Sequence, residues 1–295
     1  ALLSQLREPV GVLPTASGEP EEMAERYLAW LRRHGVEAQS IPISLQNIER
    51  ASRDRSLLKR IDQMGSLLLT GGDQRRLTET LLHCAEATPV LHSIVSAYER
   101  GTPLIAVGGA AAALGRQMIT DGDSVAALRF GSSEDASFSG VVVESGIGLS
   151  ALGLIDQNFV RRHRLGRLLM ACAEQRQRFG FGLCEGSAMI VTGSDRHVEA
   201  LGAQGVLVAE LDLSRVRLAP GNADPTGIRL YLLEPGQRVC LDNLAADTAA
   251  RSAAGRNLLE RTLRDLREDY RTATPDTGGA PPAWEALIGG APTMH

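Results

Sequence analysis

Ile105-Ala106-Val107-Gly108-Gly109-Ala110-Ala111-Ala112-Ala113 joins an apolar run to a helix-forming run through a pair of glycines. The apolar part begins at Pro103-Leu104, and the helical part continues to Arg116. A short run that is apolar at every position suits a strand buried on both faces, as in a parallel sheet. Small residues at the strand-to-helix turn let the backbone bend sharply and approach its neighbours. In α/β hydrolytic folds such a turn carries the nucleophile, and the helix start behind it favours negative charge. This turn holds no serine, threonine or cysteine, and by itself it fits any Gly/Ala strand–helix junction.

The same pattern recurs upstream. Val10-Gly11-Val12-Leu13 is an apolar run ending at Pro14. Glu19-Pro20-Glu21-Glu22 then places a proline and acids in the first turn of a helix, with Met23, Tyr27, Trp30 and Leu31 as its apolar stripe and Gly35 as its stop. A second strand is expected over Ala38 to Ile43, followed by a helical pattern from Ile48 to Ile61. Ser66-Leu67-Leu68-Leu69-Thr70 is a third strand closed by Gly71-Gly72, with helices expected over about Arg75 to His83 and Val90 to Arg100. Strands alternating with helices predict a doubly wound, mainly parallel sheet.

The second half reads differently. Arg161 to Arg176 has the pattern of an amphipathic helix. Short strand-like segments follow at Gly180 to Cys184, Ala188 to Thr192, His197 to Leu201, Val206 to Leu211, Arg229 to Leu233 and Arg238 to Leu241. Their spacing predicts antiparallel edge hairpins. Gly221-Asn222-Ala223-Asp224-Pro225 reads as a loop and Ala254 to Arg267 as a last helix. The fold class is therefore α/β, three-layer α/β/α, as one domain over 1–273 with a Pro/Gly-rich flexible tail over 274–295.

Bulk properties narrow the function. The chain has 295 residues, 43% of them hydrophobic and 22% charged, with a net charge of −4, which gives no case for nucleic acid. No apolar run is long enough to cross a bilayer, and Ala1 to Arg7 lacks the basic and apolar regions of a signal peptide, so a cytoplasmic protein is expected. Cys84, Cys172, Cys184 and Cys240 are far apart and read as reduced, mostly buried thiols; no metal site and no cofactor are expected.

Several blocks together resemble the cyanophycinase family: Leu13-Pro14-Thr15-Ala16-Ser17-Gly18-Glu19-Pro20, Thr70-Gly71-Gly72-Asp73-Gln74-Arg75-Arg76-Leu77, Ile155-Asp156-Gln157-Asn158-Phe159, Arg164-Leu165-Gly166-Arg167-Leu168-Leu169 and Gly180-Phe181-Gly182-Leu183-Cys184-Glu185. The resemblance runs in family order from about Val10 to Leu211. It implies a flavodoxin-like sheet of the class I glutamine-amidotransferase type. The family's serine-type exopeptidases release β-aspartyl-arginine dipeptides from the storage polymer cyanophycin. It also implies a dimer, as a homodimer or with a cyanophycinase-like paralogue.

The departures bear on activity. The family elbow reads G-T-S-A-G-A, and in that register Gly109 stands at the serine's place. The D-Q-H-F segment that supplies the family's histidine reads Asp156-Gln157-Asn158-Phe159, and an amide such as Asn158 cannot serve as a general base. Glu185 matches the family's third member. The resemblance carries substrate contacts over to Gln74, Asp73, Gln157, Asp156, Arg164 and Arg167. Their residue types allow other roles: Asp73 and Gln74 as helix caps, Asp156 as a loop holder and the arginines as partners of surface acids.

Three functions follow as expectations. One is a pseudoenzyme acting as partner subunit or binder of an Asp/Arg-type peptide. Another is changed chemistry in the same pocket, with Asp156, Glu185, Arg164 and His163 as its polar cluster, or with Thr15, Ser17, Ser145 or Ser150 as a relocated nucleophile beside His163; Cys184 reads as a buried, inert thiol. The last is a family peptidase. No membrane partner is expected.

Overall fold

The computed structural model describes residues 2–135, 137–192, 196–244 and 252–274. Its internal contacts divide the chain into two compact units, residues 1–116 with 145–149 and residues 117–144 with 150–295. Among the described residues no helix is long and apolar enough to cross a membrane. The stretch 275–295, which holds nearly all of the expected tail, lies outside the described residues.

The first unit is a parallel α/β layer. Strands β1 (Val10–Leu13), β2 (Ala38–Ser40), β3 (Ser66–Leu69) and β6 (Leu104–Ala106) pair in the order β2-β1-β3-β6, all parallel. Helices α1 (Pro20–Arg33), α2 (Ile48–Arg53), α3 (Arg55–Asp62), α4 (Gln74–Leu81), α5 (Pro89–Glu99) and α6 (Gly109–Ala113) connect and flank them. β1 and β3 are buried at every position, which accounts for the apolar runs Val10–Leu13 and Leu67–Leu69, while the buried Ser66 hydroxyl is paired with the Arg7 backbone. The strand order reverses between β1 and β3, so the loops leaving these strands frame the crevice where open α/β sheets take ligands.

Details depart from expectation for local reasons. The buried stripe of α1 is Ala24, Leu28 and Leu31, while Trp30 is 43% exposed and stacks on His34. The expected helix over 48–61 is two helices, because Asp54 takes extended backbone and its carboxylate caps the second through Ser56 N–H and Leu57 N–H. α4 stops at Leu81; β4 (Leu82–His83) and β5 (Glu86–Ala87) then form a hairpin turned by Cys84 and Ala85, both left-handed.

The second unit opens with β7 (Gln117–Asp121), α7 (Ser124–Phe130), β8 (Ser132–Ser133) and β9 (Val141–Ser145). β10 (Leu154–Gln157) pairs parallel with β11 (Phe179–Leu183). β12 (Ser187–Thr192) pairs with β13 (His197–Gly202), which pairs in turn with β18 (Arg238–Cys240). β14 (Val206–Leu211) joins β11 antiparallel on one side and β17 (Ile228–Leu233) on the other. The expected antiparallel pairs are thus present, and the strand over Gly180 to Cys184 is where the sheet changes direction, parallel to β10 on one side and antiparallel to β14 on the other.

Three further expectations change here. The segment read as a loop at 221–225 belongs to a hairpin of β15 (Arg217–Ala219) and β16 (Asn222–Asp224). The last helix, α9 (Ala253–Ala273), is longer than expected at its C-terminal end. The helix read as amphipathic over 161–176 is α8 (Leu165–Glu174), and it is buried at every position from Leu165 to Cys172. It packs on α7, α9 and β11, so only its C-terminal end, at Glu174, reaches solvent.

Candidate functional site

Strand β6 ends at Ala106 and α6 begins at Gly109, so the turn is Val107-Gly108. Gly108 has φ 57° and ψ −123°, a left-handed conformation that L side chains seldom take. This is the sharp strand-to-helix apex on which α/β hydrolytic folds mount a nucleophile. Gly109, the residue expected at the serine's place, is instead the first residue of α6 and is absent from the left-handed glycines. The apex lies one residue earlier.

Space around the two glycines agrees. A Cβ on Gly108 would have Gly71 Cα, 3.9 Å away, as its nearest neighbour. A Cβ on Gly109 would overlap the Gly72 carbonyl oxygen and lie 2.8 Å from Gln74 Oε1. The turn therefore has room for a side chain at Gly108 and none at Gly109. Close approach of Gly109 to the 72–74 loop is what puts the Gln74 side chain beside the turn.

The loops around β1 and β3 are tied together. Asp73 N–H donates to Ala16 O at 2.9 Å, and a Cβ on Gly72 (φ 155°) would strike the same carbonyl. The Asp73 carboxylate accepts from Arg75 N–H at 2.9 Å, so Asp73 caps α4. Thr15 is fully buried and its hydroxyl has no hydrogen-bond partner, while Ser17 Oγ accepts from Glu19 N–H at 3.1 Å.

In the second unit the carboxyl end of β10 carries Asp156, which is 1% exposed. Arg167 reaches it with Nε on Oδ2 at 2.7 Å and Nη2 on Oδ1 at 2.6 Å, a bidentate pair. Arg164 Nη1 adds a bond to Oδ1 at 2.8 Å and also donates to Gln157 O at 2.7 Å and Gln157 Oε1 at 3.3 Å. Arg167 Nη1 donates to Gly122 O at 2.7 Å. Both arginines are at least nine-tenths buried. Burial, ahead of the neighbouring charges, pulls the Arg164 guanidinium below its ordinary value, with Asp156 opposing.

The two guanidinium groups, expected as substrate contacts, thus share one carboxylate. Two positive charges against one negative leave this buried cluster with a surplus positive charge. Ser124, which the sequence reading did not single out, braces it: its hydroxyl donates to His163 O and accepts from Arg167 N–H at 3.2 Å. A lone serine 43 residues away gives no signal of that role in sequence.

Asn158 follows in an exposed, left-handed turn with φ 51°, a conformation that Asn tolerates better than most residues. Glu185 Oε1 accepts from Arg161 N–H at 3.1 Å and so holds the turn after Asn158. Cys184 is 3% exposed, and burial, with Glu185 adding to it, pushes its thiol up to about 12. Such a thiol is inert. His163 Nε2 lies 3.7 Å from Asp265 Oδ2, against α9.

Comparison with known proteins bears on this geometry. The chain is 31% identical over 237 residues to a cyanophycinase of Nostoc sp., covering 78% of this chain and 74% of that protein. It is 29% identical over 233 residues to a cyanophycinase of Synechococcus elongatus, covering 77% and 68%. A crystal structure of a peptidase from an acI-B1 Actinobacterium superposes with a TM-score of 0.52 at 15% identity, covering 81% of this chain and 86% of that one. That likeness supports the α/β fold, of the class I glutamine-amidotransferase type. The sequence profile described as peptidase family S51 matches residues 2–199, which takes in the β6–α6 turn, the Asp156 cluster and Glu185. The chain belongs to peptidase family S51.

Proposed function

We propose that this S51-family chain binds a peptide of the aspartyl/arginyl type without cleaving it, as a binding protein or as the inactive partner of a related subunit. The observation that carries the reading is the glycine at the strained apex. Gly108 holds the backbone of a nucleophile elbow, and no residue from Val107 to Ala113 has a hydroxyl or thiol. Asn158 then stands where the family motif has its histidine, and an amide does not exchange protons near neutrality. Nucleophile and base act as a unit, and loss of either costs on the order of a millionfold in rate.

What is left favours recognition. Gln74, a substrate contact in the family resemblance, sits beside the turn. Calorimetric titration with β-Asp-Arg, run beside a turnover assay on the same sample, tests the reading. Binding without release of dipeptide from cyanophycin supports it; such release, or no binding to the chain alone or with a co-purified paralogue, sinks it.

A second reading is a serine-type cyanophycin hydrolase. It is favoured by identities near 30% with proteins named cyanophycinases over more than three quarters of this chain. It requires a nucleophile from outside the β6–α6 turn, and dipeptide release from cyanophycin by the purified chain would decide for it.

A further inference from the structure

Away from the Asp156 carboxylate, charged groups gather where α9 packs on α7. Asp265 and Asp269 are four residues apart on α9 and share a face. Opposite them, Asp123 caps α7, its carboxylate accepting from Ala126 N–H at 2.8 Å. From the turn before α8, His163 presents Nε2 at 3.7 Å from Asp265 Oδ2. His163 is held in left-handed backbone (φ 49°), with its carbonyl bonded by the Ser124 hydroxyl.

Asp269 is the odd member. Its Oδ2 is buried and has no hydrogen-bond partner. The charges that act on it are His163 from the α8 turn, Asp123 from α7, and Asp265 and Glu268 from its own helix. The charges of Asp123, Asp265 and Glu268 favour its protonated form, and His163, charged only when protonated, opposes them. When the carboxylate is ionised, its Oδ2 has lost water and gained no donor, and a proton removes that cost.

We propose that Asp269, with Asp123, Asp265, Glu268 and His163, forms a proton-binding site that couples the docking of α9 on α7 to pH. Burial first, and then the three acids, raise the Asp269 carboxyl to about 6 from 3.8, with His163 opposing. The folded chain therefore holds the proton more tightly than the unfolded chain. Docking is weakest at alkaline pH, strengthens as pH falls through about 6, and gains nothing more once pH is below 3.8. The direction is opposite to that of a salt-bridged carboxylate.

Hydrogen exchange read by mass spectrometry over α9, corrected for the intrinsic pH dependence of amide exchange, tests this. Protection of α9 in the intact chain falls on the order of tenfold between about pH 5 and about pH 7.5. Asp269→Asn keeps α9 protected at both pH values, because a neutral amide replaces the protonated acid. His163→Gln moves the midpoint of the transition to higher pH, because a cation that opposes the proton is removed. A pH-independent α9 in the unaltered chain overturns the proposal. So does a pH response that survives in Asp269→Asn, or a midpoint that fails to rise in His163→Gln.

Discussion

Asp156→Asn removes the one negative charge between two buried guanidinium groups and keeps the shape of the side chain. Asp156 accepts four bonds, from Arg164 Nη1, from Arg167 Nε and Nη2, and from Gln157 N–H. The amide keeps one acceptor oxygen and turns its NH2 toward donors. Arg164 and Arg167 are then buried cations without a counter-ion. Removing one partner of a buried pair costs about 3–5 kcal/mol. For a domain of this size that corresponds to a fall of about 6–20 °C in Tm. Urea unfolding followed by circular dichroism measures the loss. Changing both arginines to Met in the Asp156→Asn background should recover most of it, because no buried charge then remains. A loss below about 1 kcal/mol for Asp156→Asn would refute the buried-charge argument.

Four other outcomes follow. Gly108→Ser is tolerated with a loss of about 1–3 kcal/mol from backbone strain, since its Cβ meets only Gly71 Cα at 3.9 Å. Gly109→Ser costs more, because its Cβ overlaps the rigid Gly72 carbonyl; urea midpoints in the reverse order would return the apex to Gly109. Cys84 is exposed and reacts with a disulfide reagent in the native protein, whereas Cys172 and Cys184 react only on unfolding, since burial raises both thiols. Asp73→Ala loses the α4 cap and about 0.5–2 kcal/mol, read from the same urea curves.

The parallel sheet was legible because its strands are buried on both faces. Val10–Leu13 and the leucines of Ser66–Leu69 then have to be apolar, and the glycines and prolines at their ends mark the turns. α8 was misread for the converse reason. Its arginines suggested a solvent face, but Arg167 is turned inward onto an acid eleven residues back. Sequence spacing shows which residues share a helix face and says nothing of a partner on another strand. The elbow was legible as a type and not in register. Gly108 and Gly109 are the same residue, and only the left-handed φ at Gly108 and the carbonyl pressed against Gly109 tell them apart. The β15–β16 hairpin escaped because three-residue strands leave too short an alternation to read.

The decisive question is whether a glycine apex ends the acyl-transfer chemistry of the family. The direct measurement is release of β-Asp-Arg dipeptide from cyanophycin by the purified chain, beside a relative that carries the elbow serine. No dipeptide above the enzyme-free control is the predicted result. Release within about a hundredfold of the relative's rate would contradict it, since loss of the nucleophile alone costs on the order of a millionfold.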